Sequence, residues 1–274
     1  MSTASDTPQP TLFIPHGGGP CFFMDWSLMG EPANTWDKTA AWLKGLAATL
    51  PARPKAIVVI SGHWEEREFT VASVEKPTMI YDYTGFPKHT YELQYPAPGS
   101  TELATRIVDL LTKAGLTARK DTSRGFDHGV FIPFLLAFPE ADIPVVPLSL
   151  KTGLDPAEHI AAGKALQSLR DEGVLIIGSG MSYHNMHAFR TPGATAPSAA
   201  FDQWLTDAIE SDDIDKRMKS LTRWSEGTAA RNAHPREEHL LPLMVAAGAA
   251  GGASAERIFS DVVMKATISA FQFG

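Results

Sequence analysis

The clearest strand signals in this chain are predominantly apolar runs, at residues 11–14, 56–60, 144–150 and 174–177. Strands buried on both faces read this way, as in mostly parallel sheets covered by helices. Between these runs, apolar positions return at helical spacing. Trp36, Ala40, Leu43, Ala47 and Leu50 predict a helix over 34–50, stopped by Pro51 and Pro54. Leu103, Ile107, Leu110 and Leu111 predict another over 100–114, with Ser100 as its N-cap. Asp155 opens a third, to residue 169. Further helices are expected at 199–209, at 213–224 and from Pro235 to 247, where Pro235 falls in the first turn. Weaker strand signals cover 69–74 and 262–273, while 77–98, 190–198 and 225–235 read as loops, the last able to form part of a lid. This order predicts an α/β fold: a single domain with a central mostly parallel or mixed sheet flanked by helices.

Composition narrows the class. Of 274 residues, 44% are hydrophobic, enough for one sizeable core, and no low-complexity linker divides the chain. The expected organisation is a flexible N-terminus at 1–10 and one domain at 11–274. A net charge of −7 without a Lys/Arg cluster argues against nucleic acid as a partner. Residues 1–10 lack the basic start and apolar stretch of a secretory signal, and no apolar run is long enough to span a bilayer. A cytoplasmic protein with small-molecule partners and no membrane contact is therefore expected. The single Cys21 allows no intramolecular disulfide and reads as a small hydrophobe beside a glycine turn.

Candidate chemistry sits where the strands end. His16 follows the first apolar run, His63 the second and His184 the run at 174–177, while His239 lies in the last predicted helix. In open α/β sheets ligands collect beyond the carboxyl ends of parallel strands, so imidazoles distant in sequence can converge there on a metal ion. Three histidine ligands without thiolates leave coordination positions open and admit iron(II), zinc or manganese. His128, in Gly125-Phe126-Asp127-His128-Gly129, is a fifth histidine at an element start, with Asp127 either orienting it or capping the helix that follows. His89, His159 and His187 lack such context and read as surface or packing residues; His234 is undecided, near His239 yet before a proline. Tyr81, Tyr83, Phe86, Tyr91 and Tyr95 can wall a pocket or pack their loop onto the body. Arg124, Arg190 and Arg231 are candidate carboxylate partners or else solvated surface charges.

Taken in order, His16-Gly17-Gly18-Gly19-Pro20, Ser61-Gly62-His63-Trp64, Tyr95-Pro96-Ala97-Pro98-Gly99, Gly125-Phe126-Asp127-His128-Gly129, His184-Asn185 and Glu238-His239-Leu240-Leu241-Pro242-Leu243 resemble the class III extradiol ring-cleavage dioxygenases of the LigB-type superfamily. Their DOPA 4,5-dioxygenase-like branch is most similar, and the matching blocks span residues 12–243. The resemblance implies His16, His63 and His239 as metal ligands. Glu238 competes with His239, because protocatechuate-cleaving relatives use a glutamate there. It also implies His184 as the acid/base residue and His128 as a pocket histidine that helps hold substrate or oxygen. Iron(II) is the implied active metal, and zinc(II) a metal that can bind without supplying redox chemistry. The implied reaction is the opening of a catechol ring, DOPA-like or otherwise substituted, by dioxygen to a semialdehyde, with His184 taking a catechol proton and returning one. Many relatives have His-Gly-Ser-Pro where this chain has three glycines before Pro20, so that serine is missing. Two rival readings are a Memo-like non-enzymatic metal- or ligand-binding protein of the same architecture and a zinc-dependent hydrolase.

Overall fold

The computed structural model describes residues 8–274, and in it the four apolar runs form the middle of one sheet. The strands are β1 (Thr11–Pro15), β2 (Ala56–Glu66), β3 (Phe69–Ala72), β4 (Ala118–Asp121), β5 (Val145–Lys151), β6 (Val174–Gly180), β7 (Ala255–Val263) and β8 (Ala266–Phe273). Their order is β4-β3-β5-β2-β6-β1-β8-β7. The central β5, β2, β6 and β1 run parallel, while β3 on one side and β8 on the other pair antiparallel to them. The helices are α1 (Asp37–Thr49), α2 (Thr101–Lys113), α3 (His128–Ala137), α4 (Pro156–Leu166), α5 (Pro192–Ile209), α6 (Ile214–Thr222), α7 (Ala230–Ala233) and α8 (Leu241–Ala249).

Alternate residues of the central strands feed two cores. Ile14, Val59 and Ile177 pack with Leu43 of α1 and Val130 of α3. Phe13, Val58 and Ile176 pack with Ile160 of α4 and Met244 of α8 on the other face. Both faces are covered, which is why these strands carry no polar alternation. Among the described residues no helix is long and apolar enough to cross a membrane.

Several elements depart from the sequence expectations. The stretch 190–198 is not a loop throughout, because α5 begins at Pro192: Thr191 accepts a hydrogen bond from the Gly193 amide at 3.2 Å, and the proline occupies the first turn. The C-terminal helix starts at Leu241, later than Pro235, with Pro242 in its first turn. The single strand expected over 262–273 is a hairpin of β7 and β8, turning through Met264 and Lys265 at φ of 48° and 69°. Two-residue hairpin turns favour such angles, yet neither residue is the Gly or Asn that announces them. Strand β2 runs on past Ile60 to Glu66, and its register against β5 slips between Ile60 and Glu65. His63 therefore sits on an irregular strand end, a place where bulges re-aim side chains. The flexible N-terminus expected at 1–10 falls partly on residues 1–7, which lie outside the described residues. Gln9 is buried and donates to the Ala52 carbonyl at 3.0 Å.

Candidate metal centre

The site forms above the carboxyl end of β6. Neighbouring strands lie about 4.8 Å apart, so β1 and β2, on either side of β6, are separated by about 10 Å. Side chains from these two strands can meet only if nothing bulky rises between them. β6 ends in Gly178-Ser179-Gly180, which keeps that space clear. A Cβ on Gly178 would run into the Pro242 carbonyl, and one on Gly180 would meet the His239 carbonyl oxygen and the Phe13 ring. The segment entering α8 thus lies directly on the glycines, and it carries His239 to His16 and His63. Gly180→Val is expected to cost about 2–3 kcal/mol, as overpacking does, and to lower the thermal midpoint by about 5–10 °C. An unchanged midpoint in calorimetry would show that this close approach has slack.

Three imidazole nitrogens converge. Nε2 of His63 lies 3.1 Å from Nε2 of His16 and 3.2 Å from Nε2 of His239. Two nitrogens each about 2.1 Å from one ion are separated by about 3.0–3.4 Å at octahedral to tetrahedral angles, so the donor set fits a single cation. The opposite ring nitrogens face outward partners: Nδ1 of His16 lies 3.2 Å from Ser179 Oγ, Nδ1 of His239 2.9 Å from Glu238 Oε1, and Nδ1 of His63 3.7 Å from Asp82 Oδ2. The bonds to Ser179 and Glu238 fix the His16 and His239 rings and turn their Nε2 lone pairs inward, while Asp82 stands beyond hydrogen-bond distance of His63. Burial holds His16 and His63 well below the ordinary imidazole range, and their imidazole neighbours add to the shift. Burial also lowers His239 to about 4, although its hydrogen bond to Glu238 pulls the other way. The three rings stay neutral at physiological pH, as metal ligands must.

His184 stacks on His239 with ring centroids 3.4 Å apart and an 18° tilt between planes. Its Nδ1 is 3.1 Å from the same Glu238 Oε1 that receives His239. Burial opposes ionisation of Glu238, but its bonds to His184 and His239 outweigh that and hold the carboxyl far below its usual range. Arg236 approaches the other oxygen at 3.3 Å. His128 opens α3 with its ring 3.9 Å from that of His63. Neither role considered for Asp127 is the one observed: its carboxylate accepts from Ser61 Oγ and from Arg124, both at 2.7 Å, and makes no cap bond. Asp82 does both jobs instead, accepting from the His128 backbone amide at 3.0 Å and pairing with its Nδ1 at 2.8 Å. Nothing in the sequence marks Asp82, because a lone acid among loop tyrosines carries no spacing signal.

These groups open on a cavity of about 590 Å³. Its walls are largely apolar, with Trp26, Trp36, Phe86, Met181 and Phe189 prominent, and Tyr83 and Thr84 join Phe86 from the 77–98 loop. Tyr81 and Tyr95 instead pack against α3 residues. The 225–235 segment contributes nothing to the wall among the described residues; the Ala233 carbonyl accepts from the His184 amide at 3.0 Å and so braces the site from behind. His234 is a packing residue, buried against Phe201 and Trp224, with its pKa lowered by burial to about 3. His159 is fully buried between the Asp155 carbonyl and the Lys151 amide, whereas His89 and His187 are exposed. Cys21 is buried, which pushes its thiol well up and leaves it inert.

Comparison with known proteins shows the family of the chain. The family described as "Catalytic LigB subunit of aromatic ring-opening dioxygenase" matches residues 10–273. A protein named 4,5-DOPA dioxygenase extradiol from Beta vulgaris is 41% identical over 256 residues, covering 90% of this chain and 89% of its own. One of the same name from Escherichia coli K12 is 35% identical, covering 90% and 88%. The crystal structure of an uncharacterized protein from Escherichia coli K12 superposes with a TM-score of 0.76 at 29% identity, covering 97% of this chain and all of the other.

Proposed function

The chain belongs to the LigB family of aromatic ring-opening dioxygenases, and from that premise we propose which side chains carry its reaction. It is a non-haem, metal-dependent extradiol dioxygenase acting on a small aromatic substrate with dioxygen. In our reading residues 11–274 form one catalytic unit in which His16, His63 and His239 hold iron(II), His184 moves protons, and His128 steadies substrate or oxygen. The substrate is a catechol, DOPA-like or otherwise substituted. What supports this reading most is the convergence of three Nε2 donors beside an apolar cavity that a fourth imidazole, His184, also lines.

When bound, iron(II) supplies open coordination positions and the one-electron chemistry that an aromatic ring needs to react with dioxygen. The chain does the rest. Glu238 accepts a hydrogen bond from Nδ1–H of His184, so its Nε2 keeps a lone pair for a catechol hydroxyl proton and can later return it to the opening ring. Glu238 backs His239 in this scheme rather than replacing it, because its Oε1 is shared by two imidazoles and its Oε2 faces Arg236. Asp82 holds Nδ1 of His128 and so fixes the ring that faces substrate. Trp26, Trp36 and Phe189 receive the aromatic ring and exclude water.

Anaerobic reconstitution with iron(II), followed by oxygen uptake over a panel of catechols, tests the assignment. The expected result is one dioxygen consumed per ring opened with iron and none with zinc. Turnover that requires zinc and proceeds without oxygen would instead support the hydrolase reading.

A further inference from the structure

Of the side chains lining the cavity among the described residues, Arg190 alone carries a permanent positive charge. The other two arginines that the sequence offered are committed elsewhere: Arg124 to Asp127 at 2.7 Å and Arg231 to Glu237 at 2.6 Å, neither in the cavity wall. Arg190 is held with care. Its backbone sits in the left-handed region at φ 70°, where a residue with a Cβ is strained, and its amide donates to the Met264 carbonyl at 3.0 Å. Met264 stands at the equally left-handed tip of the β7–β8 hairpin and lines the cavity too. The hairpin on one side and the Thr191 cap of α5 on the other hold the residue in this conformation.

The guanidinium is oriented as well as placed. Nε lies 3.3 Å from Glu31 Oε1, and the planar group sits 5.9 Å from the Trp26 ring, itself part of the wall. Its terminal nitrogens have no hydrogen-bond acceptor among the described residues. A planar fork with both terminal donors unspent matches a carboxylate, which it can grip through two parallel bonds.

We propose that Arg190 recognises a carboxylate borne on a short side chain of the aromatic substrate, a proposal that rests on the ring-cleavage reading above. The diol then lies at the imidazoles and the acid group at Arg190, inside a cavity whose size suits a small ligand of this kind. Glu31 keeps the empty fork in place and shares it once substrate arrives.

The test is an anaerobic titration of iron-loaded protein, read by the fluorescence of Trp26 and Trp36 in the cavity wall. The probes are dihydrocaffeate and its uncharged analogue, the catechol carrying a propyl chain. Wild type is expected to prefer dihydrocaffeate by about tenfold or more. Arg190→Met should lose about 10- to 100-fold in affinity for dihydrocaffeate and less than about 2-fold for the propyl compound, with Arg190→Lys between the two. Equal loss on both probes, or no loss on dihydrocaffeate, overturns the proposal. Should Arg190→Met not fold, Glu31→Gln decides the matter. It should tighten dihydrocaffeate by roughly 2- to 5-fold and leave the propyl compound unchanged, and a neutral or weakening effect on dihydrocaffeate overturns the proposal. Because binding is read without dioxygen, a protein that shows the expected pattern yet cleaves neither probe in air sinks the ring-cleavage reading while supporting the role of Arg190.

Discussion

Replacing His16 with Ala is expected to strip the protein of its metal and lower catechol turnover by at least about 1,000-fold. Loss of an outer partner of a ligand costs about 10- to 100-fold in metal affinity, and loss of one of three ligands must cost more. His16 is 1% exposed, so water has little access with which to replace the missing nitrogen. The remaining pair, His63 and His239, would face an ion with two donors instead of three. Metal content after gel filtration, measured beside oxygen uptake, checks this. A variant that still carries one iron per chain would remove His16 from the ligand set. Thermal unfolding of both proteins without metal separates that loss from a damaged fold, since the Ser179 hydroxyl keeps its bond to the Gly129 carbonyl when the imidazole is gone.

Replacing His184 with Ala is expected to act differently: iron retained, catechol still bound, and kcat lower by about 100- to 10,000-fold, the range that a positioned acid/base group contributes. The separation follows from geometry. His184 stacks on His239 but directs its Nδ1 to Glu238, so its removal leaves the three converging Nε2 atoms in place. Glu238 would keep its bond to His239 at 2.9 Å. Persistence of cleavage at the wild-type rate, with iron at the wild-type level, would show that another group moves the proton.

The sequence was most legible where burial is most complete. Residues 56–60 and 174–177 announce central strands because both of their faces are covered, and the histidines that follow them stand at the open end of the sheet for the same reason. The site was less legible where it depends on contacts distant in sequence. Asp82 reaches His128 across 46 residues and takes over both jobs considered for Asp127, which lies next to His128 in the chain but bonds to Ser61. The double duty of Glu238 likewise exists only once His184 and His239 stack. Local structure failed to announce itself where its residues were atypical: Met264 and Lys265 make a hairpin turn without Gly or Asn, and Pro192 with Gly193 opens a helix within a stretch whose composition suggests none.

The place of β6 between β1 and β2 also sets when the centre can come into being. As the polypeptide leaves the ribosome, His16 and His63 emerge early, yet the slot separating their strands is filled only when residue 180 is out. The third imidazole must then return across 176 residues to His63, a closure whose entropic cost has to be met for the cluster to be complete. A nascent fragment ending short of residue 239 therefore lacks one of the three converging imidazoles, and the complete cluster exists only in the finished fold.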